Sequence, residues 1–545
     1  MSHPRLTFHG AAQAVTGSCF RLETGAGQLL IDCGLYQGAK SEKELNYRAF
    51  PFNPSEVDAV ILSHAHIDHA GLLPKLVRDG FGGPIHSTTA TADLSAVMLP
   101  DSAHIQEIEV EQLNRRNARR HRAAVEPIYT AADVEKCIKL FKVQTFKNWF
   151  PVLPNVRVRF WNAGHLLGSA SVELEVQQQG EKVPMRLLFS GDIGPDFKLL
   201  HSDPEAPSDV DYVVCESTYG DTDRVDIDEH QRRALLRDEV RAAMHPDGVL
   251  LIPSFAVERA QELISDLSQL IAEGDLPSIP IYVDSPLAEK ATSVFAKNWR
   301  ELKNGAMLVH GLKSRAVHFT ESVEQSIALD RLRGFHIIIA ASGMCEAGRI
   351  RYRLKNWLWR DEATVLLVGY QAVGTLGRIL QDGASSVRIQ GREFKVRARI
   401  RTIDCYSGHA DGPQLVDWIA QRFPIKQGLF LVHGEEDAIS GLTNRLEGIV
   451  DHEHMIVPVL DETFELSDTG AKRLRGTAAP RLPADRVARL DWHNDVTALI
   501  LDVNDALASM PDEKTRAILI RKLRRALAED EPPQPRSRRG RSKKR

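Results

Sequence analysis

The sequence predicts an α/β protein in which one domain is inserted into another, and three observations carry that expectation. The first 200 residues alternate short β runs with loops, among them "GQLLIDCG", "VDAVILSH", "VRVRFWNAGH" and "PMRLLFSGD". From about residue 209 to 380 the text becomes strand–loop–helix, as in "GVLLIPSFAVERAQELISDLSQL" and "FHIIIAASGMCEAGRIRYRLKNWL". After residue 385 β-rich text returns in "SSVRIQ", "KVRARIRTIDCYSGH" and "QGLFLVHGE". Continuous apolar strands alternating with helices mark a parallel sheet covered on both faces. Bracketed by β text of another kind, such a stretch reads as an insertion.

Taken in order, the apolar runs of the first part each end in a polar group at the strand's carboxyl end, where α/β proteins build their sites. Residues 101–145 read as helical, because "IQEIEVEQLNRRNARRHR" is rich in good helix formers. Its basic run (Arg115, Arg116, Arg119, Arg120 and Arg122) reads as a solvated helix face rather than a nucleic-acid contact. Residues 471–532 are expected to form a helical extension with two helices inside 486–528. The second starts at Pro511, Asp512 and Glu513 and ends with Arg521, Lys522, Arg524 and Arg525, as the helix dipole favours. The last ten residues hold seven Lys or Arg and no apolar side chain, so 533–545 is expected to be a disordered basic tail. Such a tail adds salt-sensitive attraction to phosphate or serves solubility alone.

At 545 residues the chain is too long for one ordinary core. A net charge of −4 argues against wholesale polyanion binding but leaves room for a local basic groove. No run approaches the roughly 18–20 apolar residues of a membrane span, and "MSHPRLTFHGAAQAVTG" lacks the plan of a secretory signal. Six scattered cysteines without a C-x-x-C pair read as reduced thiols, so a cytoplasmic protein with no membrane association is expected.

The chemistry concentrates in "SHAHIDHAG", where His64, His66, Asp68 and His69 fall within six positions. Packed imidazoles repel when protonated and gain little from burial, so a metal is the economical explanation. In a tight loop after a strand, His64 and His66 can face one way while Asp68 and His69 face the other, which favours two ions. Further ligands stand at other strand ends: His165 in "NAGHLLGSAS", Asp192 in "SGDIG" and His433 in "LVHGE". A carboxylate such as Asp192 can bridge two metals, which a histidine cannot. His9, His86, His104, His201, His245 and His336 are left without a role.

"HAHIDH", the loops of His165 and Asp192, and "IDCG" at Asp32 resemble the metallo-β-lactamase fold. "CESTYGD" with Glu216, "YSGHAD" with His409 and "LVHGEED" with His433 resemble the acidic and histidine motifs of the β-CASP nucleases. "PSFAVERAQE", "DSPLA", "SGMCEAGR" and "VGYQAVGTLG" look like the bacterial and archaeal relatives of the cleavage and polyadenylation endonuclease subunit. The resemblance covers roughly residues 5–465.

It implies a metallo-β-lactamase αββα sandwich in two parts, 1–208 and 381–470, with an inserted β-CASP domain at 209–380. It also implies that His64, His66 and His165 hold one zinc, that Asp68, His69 and His433 hold a second, and that Asp192 bridges. Asp32 would orient the ligand loop from behind by hydrogen bonds. Asp68, His409 and Glu216 would be catalytic, with His409 the general acid and Glu216 bonded to its other ring nitrogen. The "SGMCEAGR" turn (Gly343, Gly348, Arg349) and Arg259 are candidates to bind phosphate.

The expected function is zinc-dependent hydrolysis of single-stranded RNA, endonucleolytic with a 5′→3′ exonuclease mode left open, giving 3′-hydroxyl and 5′-phosphate ends. Two Zn2+ per chain are expected, with Mn2+ a candidate substitute, and a homodimer is left open. Histidine at 433 is the type carried by RNA-acting members; DNA-repair members carry valine. A small-molecule hydrolase of lactonase or thioesterase type is the alternative, though it would leave Glu216 and His409 without a purpose. A non-catalytic RNA-binding scaffold is a third reading, weakened because every ligand position is filled.

Overall fold

Strand patterning sets the architecture. Val156–Asn162, "VRVRFWN", buries Val156, Val158 and Phe160 while Arg157 is exposed and Arg159 half-buried, the alternation of a strand with one face inward. In the computed structural model, the described residues are 3–474 apart from 39, 120, 122, 225–226 and 372–374, together with 481, 510, 512 and 515–522. One sheet runs, in spatial order, Gly470–Leu474, Glu462–Ser467, Arg5–Phe8, Phe20–Thr24, Gly27–Ile31, Ala59–Ile61, Ile85–Thr88 and Phe141–Gln144. A second runs Met455–Ile456, Ile425–Val432, Val210–Glu216, Met185–Phe189, Ala170–Val176, Val156–Asn162 and Phe150–Leu153.

Phe8, Phe160, Val172, Phe430 and Phe464 fill the layer between these sheets. Helices Leu73–Arg78 and Thr89–Arg119 cover Leu30, Val60 and Leu62 on one outer face. Gly412–Ala420 and Glu436–Leu446 cover Val213, Cys215 and Leu429 on the other. This is the expected αββα sandwich.

The inserted part is a parallel sheet in the order Val317–Phe319, Ile281–Asp284, His336–Ala340, Val249–Pro253, Ala363–Leu367 and Arg399–Thr402. Val249–Pro253, His336–Ala340 and Ala363–Leu367 are buried throughout, as strands covered on both faces must be. Arg259–Ala272 packs on one face through Leu263, Ile264 and Leu267. Ile350–Trp357 packs on the other through Leu354 and Trp357.

Both edges of the insertion differ from the boundaries 209 and 380. Val210–Glu216 is a central strand of the sandwich, parallel to Met185–Phe189 and Ile425–Val432. Arg399–Thr402, assigned to the returning sandwich, pairs instead with Ala363–Leu367. Ser386–Ile389 and Arg392–Lys395 form a separate hairpin. Local patterning reveals a strand, whereas the sheet it joins is chosen by long-range pairing. The stretch 101–145 likewise divides, into the end of Thr89–Arg119, the helix Ala131–Ile138 and the strand Phe141–Gln144.

Another apolar layer seats the insertion beside the ligand loops. Leu94 and Met98 pack with Ala291 and Phe295 of helix Pro286–Lys297, and the same layer contains Ala65 and Leu166, chain neighbours of His64, His66 and His165. Residues 490–545 form a unit of their own, in which 515–522 are helical. The first expected helix of the extension, Arg524, Arg525 and the tail 533–545 lie outside the described residues, as do Arg120 and Arg122. Arg115 is exposed and pairs with Glu111 at 2.6 Å, as a solvated face does. Among the described residues no helix is long and apolar enough to cross a membrane, and all six cysteines are free, five of them buried.

Candidate active site

Strand Ala59–Ile61 delivers the chain into the histidine loop, and the short helix Ile67–Ala70 ends that loop. Backbone bonds pin it from behind: Ser18 N–H donates to the Asp68 carbonyl and Cys33 N–H to that of His69, both at 2.8 Å. Gly34 of "IDCG" permits this approach, since a Cβ there would lie 1.6 Å from the Asp68 carbonyl oxygen. Asp32, buried beneath the loop, accepts from Ser63 N–H and Ser63 Oγ at 2.7 Å each and lies 2.7 Å from His69 Nδ1.

The predicted ligands converge in two groups around one carboxylate. His64, His66, His165 and Asp192 bring one ligand atom each to within 4.8 Å of the others, and so do Asp68, His69 and His433. Asp192 Oδ2 lies 3.3 Å from His64 Nε2 and 3.5 Å from His165 Nε2. Its Oδ1 lies 3.1 Å from His69 Nε2 and 3.7 Å from His433 Nε2. One carboxylate thus offers a separate oxygen to each group. Outer nitrogens are held elsewhere: His165 Nδ1 is 2.7 Å from the Gly408 carbonyl, and His433 Nδ1 is 3.1 Å from Thr218 Oγ1. Those contacts aim the inner nitrogens at the centre, as ligating imidazoles require.

The donor set fits a divalent metal. Asp192 Oδ1 is buried without a hydrogen bond of good geometry, its neighbours being the ring nitrogens of His69 and His433, an arrangement that a cation against it would stabilise. Ring nitrogens also crowd: His64 Nε2 lies 3.2 Å and His165 Nε2 3.0 Å from His66 Nδ1. Nitrogens converging so closely present lone pairs that a cation can bind.

The two groups titrate differently in the metal-free protein. Burial, reinforced by neighbouring histidines, pushes His64 and His165 below the usual imidazole range and His66 down to about 3. Burial also opposes charge on His69 and His433, but there Asp192, with Asp32 and Asp68, outweighs it and raises both. A raised ligand keeps its proton to higher pH and must release it to bind metal. Zinc uptake by stripped protein is therefore expected to release protons and to weaken as falling pH protonates His69 and His433. Calorimetry in buffers of different ionisation enthalpy measures this, and uptake without proton release would contradict it.

A second pair borders the group. Glu216 ends strand Val210–Glu216 fully buried, with its Oε2 3.1 Å from His409 Nδ1. Ile193 N–H and Thr218 Oγ1 donate to the same carboxylate. His409 Nε2 thereby faces the centre, 3.9 Å from Asp192 Oδ2. Thr218 links Glu216 to His433, and Ser63 links Asp32 to the loop. Sequence reading missed both, and it also missed Lys198, whose Nζ donates to the His165 carbonyl at 2.5 Å. Their positions inside "CESTYGD" and "SHAHIDH" were the available signal for Thr218 and Ser63.

The phosphate candidates separate. Arg259 stands half-buried near Tyr219 and Arg224. Arg349 departs from expectation: its Nη1 donates to Asp284 and the Thr320 carbonyl at 2.9 Å each, and its Nη2 to the Glu321 carbonyl at 2.8 Å. Asp284 is buried and needs positive partners, and Arg349 supplies one of them to the inserted sheet. Gly348, at φ +71°, closes its own loop, for a Cβ there would meet the Ala341 carbonyl oxygen at 2.2 Å. Gly343 lies under the Phe255 ring. The unassigned histidines His9 and His201 pair with Asp461 and Glu258.

Known families match along the chain: the metallo-beta-lactamase superfamily over residues 12–108, the Beta-Casp domain over 260–380, and a Zn-dependent metallo-hydrolase RNA specificity domain over 393–458. Ribonuclease TTHA0252 of Thermus thermophilus is 36% identical over 445 residues, which span 80% of this chain and 95% of that one. An RNase J-like protein of Methanocaldococcus jannaschii is 32% identical, across 79% and 92% of the two chains. Transcription termination factor FttA of Methanosarcina mazei is 29% identical, across 81% and 68%. These relations do not favour the small-molecule hydrolase alternative. Sandwich, insertion and relatives agree: the chain belongs to the β-CASP ribonucleases of the metallo-β-lactamase superfamily and is a metal-dependent hydrolase acting on RNA.

Proposed function

We propose that the protein uses two zinc ions to hydrolyse phosphodiester bonds of single-stranded RNA, leaving a 3′-hydroxyl and a 5′-phosphate. The observation that carries this reading is the Asp192 carboxylate, one oxygen toward each of two ligand groups. His64, His66, His165 and Asp192 would hold one ion; Asp68, His69, His433 and Asp192 would hold the other. Such ions supply Lewis acidity that activates a water and offsets phosphate charge, with manganese able to substitute.

The chain's own residues do the rest. Asp32 and Thr218 keep His69 and His433 turned inward. Glu216 holds His409 by Nδ1, which leaves Nε2 to carry a proton to the departing oxygen. Arg259 stands ready for a flanking phosphate. Single-stranded RNA suits this cleft because a flexible backbone can be drawn between two domains.

A full-length RNA with a 5′ label and the same RNA labelled internally test the reading with metal-loaded protein. Internal fragments support endonucleolytic cleavage, and mononucleotides from the 5′ end support the exonucleolytic mode. Intact RNA alongside turnover of a lactone or thioester would reject it.

His433→Ala should retain about one zinc, because three histidines and Asp192 still satisfy one site, and should lose nearly all cleavage, with added zinc or manganese restoring part. His433→Val should not redirect the enzyme to DNA, since substrate choice also needs recognition of the 2′-hydroxyl. Metal content measured beside RNA and DNA cleavage checks both. Two zincs with normal cleavage in His433→Ala would remove His433 from the site.

A further inference from the structure

Two large aromatic rings stand in the open beside this centre, and no step above uses them. Phe255 is 41% and Tyr370 44% exposed. Both lie on loops leaving the carboxyl ends of parallel strands, Val249–Pro253 and Ala363–Leu367. Phe255 packs against Gly343, where a Cβ would come within 3.0 Å of its ring. Arg259 sits between the two loops. Its guanidinium is 4.9 Å from the Phe255 ring centre and rests on Gly369, the residue before Tyr370, where a Cβ would come within 2.9 Å of its central carbon.

Tyr370 connects to the reaction centre through ring contacts. Tyr370 meets Tyr219 edge-on at 5.6 Å, and Tyr219 meets His409 edge-on at 5.8 Å. Arg259 Nε donates to the Tyr406 carbonyl at 2.9 Å, and among the described residues its two amino groups meet no acceptor. A cation that lies over one exposed ring and against the loop carrying the other, a ring itself two ring contacts from His409, suits a ligand that carries both negative charge and π faces.

We infer that Phe255 and Tyr370 form a stacking site for an unpaired nucleobase next to the scissile phosphate, with Arg259 taking an adjacent phosphate oxygen; this rests on the RNA-cleaving reading of the zinc centre. Every base has a π face, so such a platform binds single strands with little sequence preference. A guanidinium fork matches phosphate geometry. In a duplex both faces of a base are already stacked, so the same rings select single strands.

The test compares two short single-stranded RNAs, one intact and one carrying abasic ribose at the nucleotides flanking the cleavage point, with metal-loaded full-length protein. The unsubstituted protein should cleave the intact RNA with a KM lower by about tenfold or more. Phe255→Leu and Tyr370→Leu keep apolar bulk but lose the ring. Each should raise KM for intact RNA and leave abasic RNA unchanged, while Phe255→Tyr and Tyr370→Phe should restore the difference. Equal weakening of both RNAs by the leucine variants, or no preference in the unsubstituted protein, overturns the stacking site while the RNA-cleaving reading stands. Failure to cleave either RNA overturns that reading and the stacking site with it.

Discussion

Asp192→Ala is expected to abolish metal retention and RNA cleavage together, a larger loss than any change to the acid–base pair. Asp192 is 1% exposed, and its oxygens approach four imidazoles at 3.1–3.7 Å. Histidine charges hold this carboxyl well below the usual carboxylate range, although burial alone would raise it. Without it, converging nitrogens face each other with no anion to offset a cation, and neither ligand group closes. Asp192→Asn sharpens the result. Its single amide oxygen can serve one group only, so about one zinc should remain, an estimate from ligand count. Metal analysis beside a near-ultraviolet circular dichroism spectrum separates lost ligation from lost folding. Two zincs retained in a folded, active Asp192→Ala protein would end the bridging assignment.

His409→Ala should keep both metals and lose about 10²- to 10⁴-fold in cleavage rate, the usual contribution of a positioned general acid. Nε2 of His409 lies 3.9 Å from Asp192 Oδ2, while its Nδ1 is committed to Glu216. Glu216→Gln should cost less than His409→Ala, because the amide can still orient the ring but no longer carries charge. This pair of variants also resolves an ambiguity. Asp192, Glu216 and His433 bring ligand atoms to within 4.8 Å of one another, so Glu216 borders the ligand groups as well as His409. A Glu216→Gln protein short of one zinc would move Glu216 into the metal site; a fully loaded but slow one keeps it behind His409.

Some of this was legible in one dimension. "SHAHIDHAG" declares itself because its unusual density of ligating groups is local, and strand alternation in "VRVRFWN" is local too. The αββα sandwich and the parallel inserted sheet could be read from such runs, as could the residues that converge in two groups, with the resemblance supplying how they divide. The bond of Arg349 to buried Asp284, 65 residues away, was not legible, because its sequence setting, a glycine-rich turn before a helix, suits phosphate.

By itself, then, the sequence determined where apolar strands and amphipathic helices alternate and which side chains carry ligating chemistry, since both depend on periodicity and residue chemistry within a few positions. Tertiary structure alone decided which sheet Val210–Glu216 and Arg399–Thr402 join. It also brought His69 to His433 across 364 residues, linked Thr218 to His433 across 215, and set Arg259 over Phe255 and against Gly369, the residue before Tyr370. Those choices depend on burial and pairing energies summed over distant segments, and no local pattern encodes which distant partner makes the sum most favourable.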